Sequence, residues 1–253
     1  MYGNPSSLHS KGIEAERLIK EARETIAGTL GVDSRDIYFT SGGTESNNLA
    51  IMGFLRANPR KGKHVITTKI EHPSVLEVCK HLSENGYKVD YIGVDGRGII
   101  DLEMLKASIT KDTALISVIL VNNETGSVQP LDEIVRIKNS VNRDTAIHVD
   151  AVQAYGKLMI QPEKTGVDLL TASSHKIHGP KGVGALYVSR KVRVKPVIFG
   201  GGQESQLRSG TENVPGICGF GLAAKITFGR IEENLARVEK LKMLFIDKLK
   251  EKV

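Results

Sequence analysis

Residues 114–121 read Ala-Leu-Ile-Ser-Val-Ile-Leu-Val, apolar at every position but Ser117 and without alternation. A strand with one face in water alternates, so a run like this belongs to a strand covered on both faces. Shorter runs of the same kind occur at residues 37–40, 64–68, 146–149, 168–172 and 184–188. A further strand is expected at 88–94. Helical patterns separate them. Residues 13–30 place Ile13, Leu18, Ile19, Ala22, Ile26 and Leu30 on one face, and Gly31 supplies the stop. Further helices are expected from the turn at residues 41–44 through Leu55, after Pro73 to about Ser83, from Leu102, at 131–141, at about 214–228 and at 232–252. Strands alternating with helices predict the α/β class: a mostly parallel, mixed central sheet with helices on both faces.

In such sheets ligands bind outside the carboxyl ends of the strands. Four polar clusters fall at these ends: residues 41–44, 122–124, 150–153 and 173–176. A random scatter of loop residues would not place them so regularly. Ser41-Gly42-Gly43-Thr44 joins a strand to a helix, so it reads as an anion site of exposed backbone N–H groups, or as a plain capped turn. It lacks the Gly-Lys-Ser/Thr ending of a nucleotide P-loop. Asp150 ends a buried strand, where a carboxylate is costly unless paired, and a pyridinium nitrogen is a suitable partner. A metal bound by His148 and Asp150 is the competing reading, but no third ligand stands nearby. His72, between a strand and a helix, is either a helix-start residue or a ring-stacking proton carrier. Lys176, in Ser-Ser-His-Lys-Ile-His-Gly-Pro-Lys-Gly, is either a solvated lysine or the amine that forms a Schiff base with an aldehyde cofactor.

Composition narrows the classes. The net charge of +6 permits nucleic-acid binding, but the basic residues are scattered and aromatics make up 5%, a poor stacking platform. No nucleic acid and no membrane is therefore expected as a partner, since no apolar run approaches the ~20 residues a bilayer needs. Two cysteines, Cys79 and Cys218, give neither a disulfide framework nor zinc spacing, and the N-terminal residues do not resemble a signal peptide. A cytoplasmic setting is expected. Cys79 and Cys218 read as small core residues. Gly219-Phe-Gly221-Leu-Ala-Ala224 fits a loose dinucleotide pattern, but it lies in a helical stretch that follows no strand.

Taken in order, these segments resemble the cysteine desulfurases of the NifS/IscS group, in the class V aminotransferase family of fold type I. The carrying motifs are Gly-Asn-Pro-Ser-Ser-Leu-His from Gly3, Thr-Ser-Gly-Gly-Thr-Glu-Ser-Asn-Asn-Leu-Ala from Thr40 and Glu-His-Pro-Ser-Val-Leu from Glu71. Val-Asn-Asn-Glu-Thr-Gly from Val121, His-Val-Asp-Ala-Val-Gln from His148, the Lys176 segment and Arg-Ser-Gly-Thr-Glu-Asn from Arg208 complete them. The resemblance implies pyridoxal 5'-phosphate as cofactor and L-cysteine as substrate, converted to L-alanine with the sulfur passed on as a persulfide. It implies that Lys176 forms the Schiff base, Asp150 partners the pyridine nitrogen, Gln153 faces the ring hydroxyl and His72 stacks on the ring. Gly43, Thr44, Ser173 and His175 would cradle the phosphate, and Asn123 would lie near the ring hydroxyl and the substrate carboxylate. Thr211 would reach the phosphate of a neighbouring subunit, which implies a homodimer. A sulfur-acceptor or scaffold protein is the implied partner, in iron-sulfur cluster or thio-cofactor assembly.

Family members also carry a segment before the Gly-Asn-Pro motif and a small C-terminal domain with the sulfur-accepting cysteine. Neither matches anything in residues 1–253, which are expected to form the cofactor-binding large domain alone. Cofactor binding without full turnover is the expectation that follows. A non-catalytic dimerising or interaction module, or another class V enzyme such as a selenocysteine lyase, is the alternative.

Overall fold

The computed structural model describes residues 3–252; residues 1, 2 and 253 of the expected domain lie outside the described residues. Seven strands form one sheet in the order β1-β7-β6-β5-β4-β2-β3. They are β1 (Ile37–Thr40), β2 (His64–Thr68), β3 (Lys88–Ile92), β4 (Thr113–Ile119), β5 (Ala146–Asp150), β6 (Leu169–Ser173) and β7 (Gly184–Val188). β3, β2, β4, β5 and β6 run parallel, and β7 pairs antiparallel with both β6 and β1. The sheet is thus mixed and mostly parallel, as the strand patterns predict.

The absence of alternation in these strands has a direct structural cause. Consecutive residues feed two separate cores. Ile116, Ile147, Leu170 and Tyr187 pack on one face with α1 (Ser10–Leu30) and α8 (Val214–Phe228). Their neighbours Leu115, Ala146, Leu169 and Leu186 pack on the other face, with α3 (Phe54–Ala57) and α4 (Pro73–Glu84). Both pleat faces exclude water, so both demand apolar side chains. α5 (Leu102–Ser108), α6 (Leu131–Val141) and the short α7 (Pro162–Thr165) complete the covering layers.

Several boundaries move. α1 starts earlier, at Ser10, capped by His9, and its buried face runs Gly12, Ala15, Ile19, Ala22, Ile26, Leu30. Ile13, expected on that face, is 56% exposed. The single helix expected through Leu55 is α2 (Gly43–Asn48), a π-helical turn (Leu49–Gly53) and α3. β4 stops at Ile119 and β3 at Ile92, because Val121 and Val94 leave the ladder for isolated bridges to Val128 and Ile100. β5 and β6 each take in one more polar residue, Asp150 and Ser173. α9 (Ile231–Lys250) ends two residues early and leaves Leu241, Leu244 and Phe245 exposed.

The dinucleotide-like glycines serve packing. α8 lies against α1 so closely that a Cβ on Gly221 would stand 2.8 Å from Ala22 Cβ and 2.9 Å from Ala22 Cα. The second of these contacts is backbone and cannot swing aside. A Cβ on Gly28, on the exposed side of α1, would meet nothing within 4 Å among the described residues. The two sites therefore respond oppositely to alanine. Gly28→Ala is expected to stabilise the chain by about 0.5–1 kcal/mol through helix propensity. Gly221→Ala gains the same propensity but is expected to lose about 1–3 kcal/mol to overpacking. Urea unfolding of both variants measures the difference, and equal signs would refute the close-packing account.

Candidate active site

The strand directions bring the carboxyl ends of β2, β4, β5, β6 and β1 to one edge of the sheet. A cavity of about 310 Å³ opens there. Gly43, Thr44, His72, Asn123, Asp150, Gln153, Ser173, His175 and Lys176 all line it. Thr211 does not. It is exposed on the loop before α8, three residues beyond Arg208, whose guanidinium forks onto Glu45 of α2 at 2.8 and 3.2 Å. Sequence reasoning missed Asn47, Ser74, Ile119 and Val152, which also line the cavity. The one available signal was Ser46-Asn47-Asn48 inside a helix, where such residues are poor formers and need a reason to be present.

Each side chain owes its place to a local device. The start of α2 carries no side-chain cap, because Gly42 precedes it. Its first N–H groups therefore face the cavity mouth without an internal partner. Gly43 must stay small: a Cβ there would lie 2.7 Å from Val152 Cγ2. His72 is the N-cap of α4, with Pro73 at its first position. Its Nδ1 accepts from Ser74 N–H at 3.1 Å and lies 2.8 Å from Ser74 Oγ. Those two bonds put the proton of the neutral ring on Nε2. The helix-start and functional readings of His72 thus hold together.

The turn that carries His72 is clasped to β4. Glu71 Oε1 accepts from Ile119 N–H at 2.8 Å and from Thr68 Oγ1 at 2.6 Å. Asn122 Nδ2 donates to the Ile70 carbonyl at 2.8 Å. Asn122 is therefore a strut, and its neighbour Asn123 is the one that faces the cavity. On the other side, Ser173 Oγ lies 2.9 Å from His175 Nδ1, and Lys176 is exposed in the single 3-10 turn after β6. Lys157 Nζ donates to the Gln153 carbonyl at 3.0 Å and approaches that of Lys176 at 3.5 Å.

Asp150 is 2% exposed. Burial raises its carboxyl above the usual range, and bonds from Val152 N–H at 2.9 Å and Asn47 Nδ2 at 2.7 Å work against that. His148, two residues back on β5, is pushed down to about 3 by burial. Its ring nitrogens lie 2.8 Å from Ser117 Oγ and 3.2 Å from Thr171 Oγ1, so both are already engaged by hydroxyls. Neither cysteine lines the cavity. Cys79 is fully buried and raised to about 12 by burial, and Cys218 is half-buried on α8. Chemically, the cavity offers an anion cradle at the start of α2, a desolvated carboxylate for a cationic N–H, and an accessible amine.

Comparison with known proteins places the chain in a family. A family profile described as Aminotransferase class-V matches residues 1–252. A cysteine desulfurase IscS 1 of Archaeoglobus fulgidus is 49% identical over 97% of this chain. The match covers 64% of that protein, so this chain spans under two thirds of its relative. A solved NifS-like protein superposes with a TM-score of 0.96 at 44% identity, covering 99% of this chain and 68% of its own. A solved SspA in complex with cysteine gives 0.84 at 42% identity, covering 88% and 65%.

Glu71 supplies a test of the clasp. Burial pushes its carboxyl up to about 8, and its Oε2 has no partner among the described residues. Folding therefore favours the protonated acid. Stability is full below the unfolded value of about 4.5 and falls, by up to ~1.4 kcal/mol per pH unit, as pH rises towards 8. Glu71→Gln keeps the acceptor and removes the titration. Urea unfolding between pH 5 and 8 should show a shallower decline in the variant, and parallel curves would contradict a neutral Glu71.

Proposed function

The chain belongs to the class V aminotransferase family, and from that premise we propose that it is the cofactor-binding portion of a cysteine desulfurase. The observation that carries this reading is the meeting of Lys176 and Asp150 in one cavity. An accessible amine and a buried carboxylate are what pyridoxal 5'-phosphate requires at its two functional ends. The cavity fits the group in its third part too. The uncapped start of α2 at Gly43 and Thr44, with Ser173 and His175 beside it, suits a dianionic phosphate. When bound, the cofactor supplies an aldehyde that condenses with amines and a ring that accepts electron density.

The chain's own residues then have distinct tasks. Asp150 would hold the pyridine N–H, and its ionised form would keep that proton in place. His72 would lie against the ring and present Nε2–H, since Nδ1 is occupied by Ser74. Gln153 and Asn123 would face the ring hydroxyl. Lys176 would be the amine that holds the aldehyde and the base that moves protons at the substrate Cα. The names of the relatives support L-cysteine as substrate. In the overall conversion the Cβ–S bond breaks, Cβ gains a proton to give L-alanine, and the sulfur forms an S–S bond with a thiol. Neither Cys79 nor Cys218 stands at the cavity to be that thiol. We assign it to a segment outside residues 1–253, and Thr211 to the phosphate of a second copy in a homodimer. A sulfur-acceptor or scaffold protein is the onward partner. No described helix is long and apolar enough to cross a membrane.

Borohydride reduction after addition of pyridoxal phosphate, followed by peptide mapping, tests the reading. The label should fall on Lys176 and vanish in Lys176→Ala; label on another lysine would overturn the assignment. Incubation with L-cysteine should release alanine at no more than a background rate. Sustained multiple turnover by this chain would show that no outside thiol is needed.

A further inference from the structure

Asn47 is fully buried on the first turns of α2, two residues before the π-helical turn. One N–H of its amide donates to Asp150 Oδ2 at 2.7 Å and the other to Ser74 Oγ at 2.8 Å. Ser74 Oγ lies in turn 2.8 Å from His72 Nδ1. The directions of these bonds are mutually consistent. An ionised carboxylate only accepts, so the amide must turn Nδ2 towards Asp150. With both amide hydrogens donated, Ser74 Oγ accepts from Asn47 and gives its own hydrogen to His72. The remaining amide atom, Oδ1, is buried with no partner among the described residues. A buried acceptor without a partner is unfavourable, so stability alone does not account for this side chain. Rotating the amide would satisfy Oδ1 only by aiming an acceptor at a carboxylate.

We propose that Asn47 is a positioning residue that couples the charge of Asp150 to the ring of His72, holding the carboxylate ionised and, through Ser74, the imidazole in its Nε2–H form. The proposal rests on the cofactor-binding reading for its purpose, since Asp150 and His72 are the groups assigned to the pyridine nitrogen and the ring face. Its physics belongs to the chain's own residues. Removing one donor from a buried carboxylate favours the neutral acid. A neutral Asp150 would leave the pyridine nitrogen without its counter-charge. The other titratable groups around Asp150 are His72, Glu71 beside it, His148 on the same strand face, and Lys176 across the cavity.

The test uses the cofactor-free chain with ¹³C-carboxyl aspartate and ¹⁵N-histidine, the Asp150 resonance being assigned with Asp150→Asn. Asn47→Ala should raise the Asp150 titration midpoint by about one pH unit or more and shift the His72 ring signals. Ser74→Ala should shift the His72 signals and leave the Asp150 midpoint in place. An unmoved Asp150 midpoint in Asn47→Ala, or an equal movement in Ser74→Ala, overturns the coupling. If the alanine variant does not fold, Asn47→Asp keeps the shape. Its two carboxyls should titrate as a coupled pair in two separated steps, and a single unshifted Asp150 step is the contrary result. These signals are read without cofactor, so they stand apart from the Lys176 labelling. Loss of the label with the shifts intact refutes the cofactor, whereas the label without the shifts refutes Asn47.

Discussion

A carboxylate taken out of water at the end of β5 is the constraint that organises this edge of the molecule. An isolated buried charge is unfavourable by several kcal/mol, and a group in that position ordinarily neutralises. Asp150 is held by Val152 N–H and by the Asn47 amide, each 2.7–2.9 Å away. The Val152 bond bends the chain as it leaves the strand, which turns Gln153 into the cavity. The Asn47 bond fixes α2 against β5, which places the uncapped helix start beside Ser173. One buried oxygen pair thus determines where the anion cradle stands relative to the strand ends.

The remaining groups are placed by ties between turns. The β2–α4 turn is clasped to β4 and the loop after it through Glu71 and Asn122, so His72 cannot drift away from Asn123 without breaking two hydrogen bonds. On the far side, Glu204 accepts two bonds from Arg23 and one from Phe39 N–H, while its own residue and the next two hold left-handed backbone. Non-glycine residues in that region carry strain that the surroundings must over-determine. The anchored loop leads directly to Arg208, its fork onto Glu45, and Thr211. Strand ends and the turns directly after them carry the cavity-lining residues, and a strained, anchored loop leads to the exposed Thr211.

The sheet and most of the cavity were legible from the sequence because both follow from one-dimensional rules. Double-sided burial removes alternation, and ligands meet strands at their carboxyl ends; Asp150, Ser173 and Lys176 follow from those two facts. What stayed hidden depends on partners distant in sequence. Asn47 and Asp150 are 103 positions apart, and the polar run at residues 46–48, though unusual inside a helix, does not name Asp150 as the partner. Glu71 reads as a polar turn residue until Ile119 is seen to donate to it. Ile13 fits the apolar stripe of α1 by spacing, yet the buried face runs through Gly12, where the backbone of Asn4 and Ser7 approaches so closely that no Cβ fits. The π-helical turn leaves no mark in composition.

The two cysteines sharpen what the cavity can and cannot do alone. A thiol that takes up sulfur must ionise and must reach the substrate. Cys79 fails both conditions, since burial raises it to about 12 and it sits in the core beneath α4. Cys218, on α8, packs against the core that α1 and α8 cover and does not line the cavity. On the proposed reading the cavity would hold the groups for binding an aldehyde cofactor and for moving protons at Cα, and neither cysteine lines it to receive sulfur. That division is chemically reasonable. Proton transfer at Cα needs fixed geometry, which strand ends and clasped turns provide. A carrier thiol must approach the substrate, accept sulfur and depart, and a rigid strand end is a poor place for a group with that task.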